Sequence, residues 1–242
     1  MDWREDGVLL AVRRHGESAA IIEMFTETRG RHAGVVRGGA GRRLGPVLQP
    51  GAQLDVAWRA RLAEQLGTFV VEPVRGRAGA LMGDPLGLAG LASVCALLAH
   101  ALPERAAFPA LYRDSVTLLD LIPATPAWPL AYLRWEVGLL ATMGFALDLT
   151  RCTVTGARDG LAYVSPRTGR AVSAAGARGY EDKLLSLPPC LLGTGEAANA
   201  EIAEALRVTG HFLQREFGPQ RPGQPFPPGR QRLVDRLSRS RD

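Results

Sequence analysis

Arg29, Arg31, His32, Arg37, Arg42 and Arg43 fall in a stretch, Thr28 to Leu54, that contains no acidic residue, although Glu23, Glu27 and Asp55 flank it. A guanidinium binds phosphate oxygens through two parallel hydrogen bonds, so a cationic loop of this kind has the chemistry to hold a phosphate polymer. Arg31, Arg37, Arg42 and Arg43 are the predicted phosphate contacts, with Arg59, Arg61, Arg13 and Arg14 on neighbouring strands behind them. A solvated strand face would account for any one of them; the cluster is what points to a polyanion. His32 and Phe25 are candidates for stacking on bases, with Phe25 better placed as core and Trp58 open to either role.

The whole chain is basic in the same sense. Its 242 residues carry 29 Lys+Arg against 24 Asp+Glu, a formal charge of +5 and a pI of about 9.6, which leans toward nucleic acid. Lys183 is the sole lysine, a usage that GC-rich codon bias would also produce. Bond-making chemistry finds little support: there is no P-loop, G-x-S-x-G or H-E-x-x-H pattern, and His15, His32, His100 and His211 have no nucleophile or carboxylate at informative spacing. No catalytic residue and no cofactor is therefore expected. Cys95, Cys152 and Cys190 are an odd, scattered trio, unlike a disulfide framework and suited to a reducing compartment. The opening MDWREDG has no apolar core, and the apolar run Leu86 to Leu102 falls short of a bilayer span, so a cytoplasmic, nucleoid-associated protein is expected.

The elements that would position these residues change character along the chain. Gly7–Arg13, Ala19–Thr26, Arg31–Gly39, Ala52–Ala60 and Gly67–Val74 read as five short strands separated by glycine and polar punctuation, the signature of a small antiparallel barrel. Arg75 to Gly83 reads as a linker. Beyond it the apolar period lengthens to that of helices: Leu88, Leu91, Cys95, Leu98 and Leu102; then Leu111, Ser115, Leu118, Leu119 and Ile122; then Leu130, Leu133, Val137 and Leu140, with Pro129 in the first turn and Gly144 at the end. Asp148 to Lys183 reads as an irregular insertion with strand fragments at Leu161–Ser165 and Arg170–Ser173. Ala197 to Phe217 resumes helical spacing, with Gly218-Pro219 as its stop. Arg230, Arg232, Arg236, Arg239 and Arg241 end the chain in either a basic helix or a disordered tail. The fold class is α+β: a barrel domain over 1–76 and a helical domain over 83–242 that carries the insertion 148–183.

The phrase GESAAIIEMFTETRGRHAGVVRGG (Gly16 to Gly39) resembles the opening of the RecO family of bacterial recombination mediators, which combine a G-E-S/D turn, an FTxxxGR hairpin and a GxxRGxRR-like basic loop. Here these are Phe25-Thr26 with Gly30-Arg31, and Gly34 to Arg43. LQPGAQLDVAWRAR and EQLGTFVVE are also similar to that family, and the resemblance is strongest over the barrel.

That resemblance implies an oligonucleotide/oligosaccharide-binding barrel (OB-fold) joined to a helical domain with a zinc-finger-like insertion. It further implies binding of single- and double-stranded DNA, annealing of complementary strands, and loading of RecA, with RecR and RecF, onto DNA coated with single-strand-binding protein. Where relatives carry two C-x2-C pairs, this chain has Cys152 and Thr155, then Ser173 and Gly176, and one thiolate cannot hold zinc. The insertion is accordingly expected to lack metal and to survive as a small, mobile hairpin held by packing. The resemblance also implies a pocket in the helical domain for the acidic tail of single-strand-binding protein, with Arg134 and Arg151 beside Leu147 or Leu206 as candidates. A protein-only adaptor and an RNA-binding barrel are the rival readings.

Overall fold

The computed structural model describes residues 1–62, 64–193, 197–218 and 225–240. They form two compact units, one of Met1–Thr125 with Pro227–Arg230, the other of Pro126–Phe226 with Gln231–Asp242.

The first unit is built on β1 (Asp2–His15), β2 (Ala19–Thr26), β3 (Gly30–Val36), β4 (Gln53–Arg59) and β5 (Thr68–Arg75), in the closed order β1-β2-β3-β5-β4. β1 is twice the predicted length because it serves two partners: Asp2 to Val8 pair with β4, and Gly7 to His15 pair with β2. The strand must bend sharply where it changes partner. Gly7 sits at that crossing, where a Cβ would lie 2.8 Å from the Thr26 methyl, and a bulge between Leu9 and Ala11 supplies the turn. The barrel core is Leu9, Ala20, Ile22, Met24, Val36, Leu54, Val56, Trp58 and Phe69, in the strict alternation that a half-buried strand dictates. Four seams are antiparallel ladders. The fifth, β3 to β5, is parallel and joins only Val35 to Thr68 and Val36 to Phe69.

Two helices complete the unit. α1 (Pro85–Ala101) is capped by Asp84, whose carboxylate accepts from the amides of Leu86 (3.1 Å) and Gly87 (2.9 Å), with Pro85 pre-set for the first turn. It stops short of Pro103, and α2 (Pro109–Leu121) follows. The segment predicted to be a linker is tied down instead. Arg77 is buried, donates to the Gly51 carbonyl (2.8 Å) and pairs with Asp120 of α2 (2.7 Å), and Ala78–Leu81 forms a 3-10 turn.

The second unit contains α3 (Trp128–Thr142), the insertion, α4 (Asn199–Phe217) and α5 (Pro228–Arg239), whose first residues belong to the first unit. The tail is thus a helix up to Arg239; Pro219 and Arg241 lie outside the described residues. α3 packs on α4 around a buried polar link, in which Tyr132 donates to Glu136 at 3.0 Å and Thr209 donates to the same carboxylate. The insertion has a three-stranded sheet of β6 (Leu161–Val164), β7 (Ala171–Ser173) and β8 (Leu185–Ser186), in the order β7-β6-β8. β8 has no counterpart in the sequence reading, because two residues carry no periodicity. No helix among the described residues is long and apolar enough to cross a membrane.

Candidate nucleic-acid interface

The arginines of the barrel unit divide into two sets by their partners. Arg4 pairs with Asp55 (2.6 Å) and Glu72 (3.2 Å), Arg75 and Arg77 with Asp120, and Arg113 with Glu27. These hold the barrel and its helices together. Arg13, Arg14, Arg37, Arg42, Arg43 and Arg61 are exposed, and no carboxylate pairs with them among the described residues.

Strand register gathers most of the second set at one end of the barrel. Arg13 and Arg14 lie opposite Ile21 and Ala20, which lie opposite Val35 and Val36; Arg37 follows directly. The loop after β3 folds back on the β1–β2 turn through a bond from the Ala40 amide to the Ser18 carbonyl (3.0 Å). That bond brings the Arg42–Arg43 loop to the strand ends that hold Arg13, Arg14 and Arg37. Ala20, Ile22, Val36, Trp58 and Phe69 point inward, so the alternate residues Ile21, Val35, Arg59 and Thr68 face outward. A cross-strand row Arg13–Ile21–Val35–Thr68–Arg59 therefore carries a cation at each end, separated by four inter-strand steps of about 4.8 Å. Arg59 is 81% exposed and only loosely opposed by Asp2, at 4.0 Å. Arg61 follows just beyond the end of β4.

Arg31 has to be withdrawn from the predicted contacts. Its side chain is 7% exposed, donates to the Leu102 carbonyl (2.9 Å), and pairs with Glu23 (2.7 Å) and more distantly Glu104 (3.5 Å). Phe25 is fully buried with its ring edge-on to Tyr112 of α2, so it belongs to the core; Trp58 lies inside the barrel, and His32 is also buried.

In the second unit, Arg134 and Arg151 are exposed and Leu147 is half-buried, its side chain 3.0 Å from where a Cβ on Gly169 would stand. Leu206 is fully buried on the inner face of α4 and cannot line an open pocket, which corrects that assignment. Of the tail arginines, Arg230 is buried while Arg232, Arg236 and Arg239 are exposed.

The four positions of the would-be metal knuckle do converge. The Cys152 sulfur accepts from the Ser173 hydroxyl (3.3 Å) and from the amides of Thr155 (3.3 Å) and Val154 (3.4 Å). Thr155 and Ser173 hydroxyls are 3.4 Å apart, and a Cβ on Gly176 would stand 3.0 Å from the sulfur. Burial pushes the thiol up, but the hydrogen bonds from Ser173 and Thr155 outweigh it and bring Cys152 down to about 6. One sulfur and two hydroxyls are not a zinc donor set; no group of three His, Cys, Asp or Glu side chains that could hold a metal occurs among the described residues. The knuckle is held by hydrogen bonds to sulfur over a small core of Cys152, Val172 and Ala177.

Two family models divide the chain where the tied-down segment lies: recombination protein O N terminal matches residues 1–77, and recombination protein O C terminal matches residues 82–225. The chain is 57% identical over 240 residues to a protein of Cereibacter sphaeroides named DNA repair protein RecO, covering 99% of this chain and 100% of that one. Proteins of the same name from Roseobacter denitrificans and Dinoroseobacter shibae are 59% identical over 239 residues and 52% over 241, covering 99% and 100% of each chain.

Proposed function

The chain belongs to the RecO family of DNA-repair proteins, and from that premise we propose that it is a DNA-binding recombination mediator rather than an enzyme. It anneals complementary strands and helps load RecA onto DNA coated with single-strand-binding protein. The observation that carries this reading is the set of exposed arginines around one end of the barrel, Arg13, Arg14, Arg37, Arg42 and Arg43, which have no acidic partner among the described residues, with Arg59 and Arg61 further along. The closed strand order β1-β2-β3-β5-β4 supports reading the barrel as an oligonucleotide/oligosaccharide-binding fold, which is suited to tracking a phosphate backbone.

Annealing needs two polyanions brought within pairing distance, and neutralising their phosphates lowers that barrier without making or breaking a covalent bond. The second unit engages the partners, RecR and the acidic tail of single-strand-binding protein, with Arg134 and Arg151 as carboxylate contacts beside Leu147; RecA and RecF act downstream. The working location is the cytoplasm, at the nucleoid. The test is annealing of complementary oligonucleotides coated with the cognate single-strand-binding protein, with and without its last few residues. Tail-dependent annealing is the expected result. Annealing that ignores the tail removes the partner contacts, and failure to bind DNA overturns the proposal.

A further inference from the structure

A cavity of about 560 Å³ opens on the barrel where β1 begins, lined by Met1, Asp2, Trp3, Thr28, Arg29, His32, Trp58 and Arg105. Its size is within the range of about 300–1,000 Å³ usual for small-molecule sites. Three of its walls are aromatic. Trp3 stacks on Trp58 at 5.9 Å with 20° between the planes, and His32 meets both edge-on, at 5.2 Å and 4.7 Å.

Two features of this cavity point to a ligand. His32 is 6% exposed, and neither ring nitrogen has a hydrogen-bond partner among the described residues. Buried polar groups are almost always paired, so both nitrogens carry an unmet cost. A phenylalanine would fill the same space among Trp3, Trp58 and Phe69 without it. Burial, reinforced by Arg105, lowers His32 to about 4, so near neutrality the ring is uncharged and offers one donor and one acceptor. The second feature is Arg105, held at φ 60, the left-handed region that residues other than glycine rarely enter, by its backbone N–H donating to the Arg31 carbonyl (2.8 Å) and its guanidinium donating to the Gln65 carbonyl (2.9 Å). Backbone strain of this kind concentrates where a side chain must be aimed. Arg105 and exposed Arg29 set two cations at the rim, against Asp2 and the nearby Glu104.

We propose that this cavity is a nucleotide subsite: it takes one unpaired base among Trp3, Trp58 and His32, with the flanking phosphate on Arg29 and Arg105. A base has a flat face for the indole and a donor–acceptor edge for the imidazole, and every nucleotide brings the anion that the rim awaits. Trp3, half-buried at the start of β1, is the wall that moves to admit it and to open the His32 nitrogens. The inference rests on the DNA-binding reading and adds to it the step that annealing also requires, holding a base out of its stack.

The test compares a short labelled oligothymidylate with the same strand made abasic, by anisotropy at one salt concentration, for the wild type and His32→Phe. The wild type is expected to bind the base-bearing strand roughly tenfold more tightly, the effect of one stacked base. His32→Phe is expected to lose that difference, keep its affinity for the abasic strand and melt at a higher temperature, because two orphaned groups have gone. Irradiating a strand that carries 5-iodouracil should cross-link to the peptide containing Trp3. Equal affinity of the wild type for both strands, or cross-links confined to the Arg37–Arg43 loop, overturns the subsite and leaves DNA binding intact. Binding of neither strand overturns both.

Discussion

The Arg31 guanidinium stands 2.7 Å from the Glu23 carboxylate of the adjacent strand and also donates to the Leu102 carbonyl, so the one buried arginine of the basic stretch is a bolt between β3 and the end of α1. Replacing Arg31 with Ala leaves that carbonyl and carboxylate without their donor and is expected to cost about 2–3 kcal/mol of stability. Denaturant unfolding measures the loss. The salt dependence of DNA affinity should stay unchanged in this variant, which separates a structural arginine from a phosphate contact.

Arg42 and Arg43 should behave in the opposite way. Both are exposed and carry no acidic partner among the described residues, so the double Ala variant should melt within about a degree or two of the wild type. Its affinity should fall for every sequence alike, and the slope of log affinity against log salt should flatten by ~0.7 for each single-strand contact removed. A salt titration of oligonucleotide binding reads both effects.

The Cys152 knuckle predicts a pH dependence of known sign. A free thiol titrates near ~8.5, and the folded value is about 6. The folded state therefore holds the thiolate where the unfolded chain is still protonated. Stabilisation is complete above the unfolded value and is lost as pH falls through the folded one. Amide exchange of Val154 and Thr155, which donate to the sulfur, should quicken as the pH drops from about 9 to below 6, after correction for intrinsic rates. In Cys152→Ala the correction alone should account for the change. Elemental analysis should find far less than one zinc per chain.

In the second unit, Thr209 and Tyr132 both donate to the buried Glu136 carboxylate. Thr209→Val keeps the shape and removes one donor to a charged or polar acceptor out of reach of water. A loss of about 2 kcal/mol is expected in thermal or denaturant unfolding, with DNA binding on the barrel unaffected.

How much could be read in the chain itself is clearest from Ala19–Thr26, where the apolar run and the strand share both ends. β1 extends past its predicted start because Asp2 to Asp6 pair with β4 without being apolar, and hydropathy does not register backbone pairing. Arg31 shows a different limit. Alternation with His32, Gly34 and Val36 correctly turns it away from the barrel core, but at that position the outer face lies under the end of α1, some seventy residues later in sequence. Leu206 was misplaced for a related reason: helical spacing marks a buried face and says nothing about which part of it opens to a partner. Trp3 and Arg105 escaped notice because their meeting is purely tertiary. The knuckle, by contrast, was legible through the family resemblance, since Cys152, Thr155, Ser173 and Gly176 stand where relatives carry two C-x2-C pairs, and they converge in the fold with the chemistry changed.

The parallel seam between β3 and β5, with only two paired positions, makes the barrel a clasp with one weak fastening. Local opening follows the path of least lost contact, so β3 parts from β5 while the ladders on either side stay closed. Amide protons on this edge, Val35 first, exchange through that brief parting, whereas those in the middle of β1 wait for the whole unit to unfold. The Glu104–Arg105 segment, bridged to Arg31, lies along the same edge as a latch. Tightening or releasing it sets how often the clasp springs.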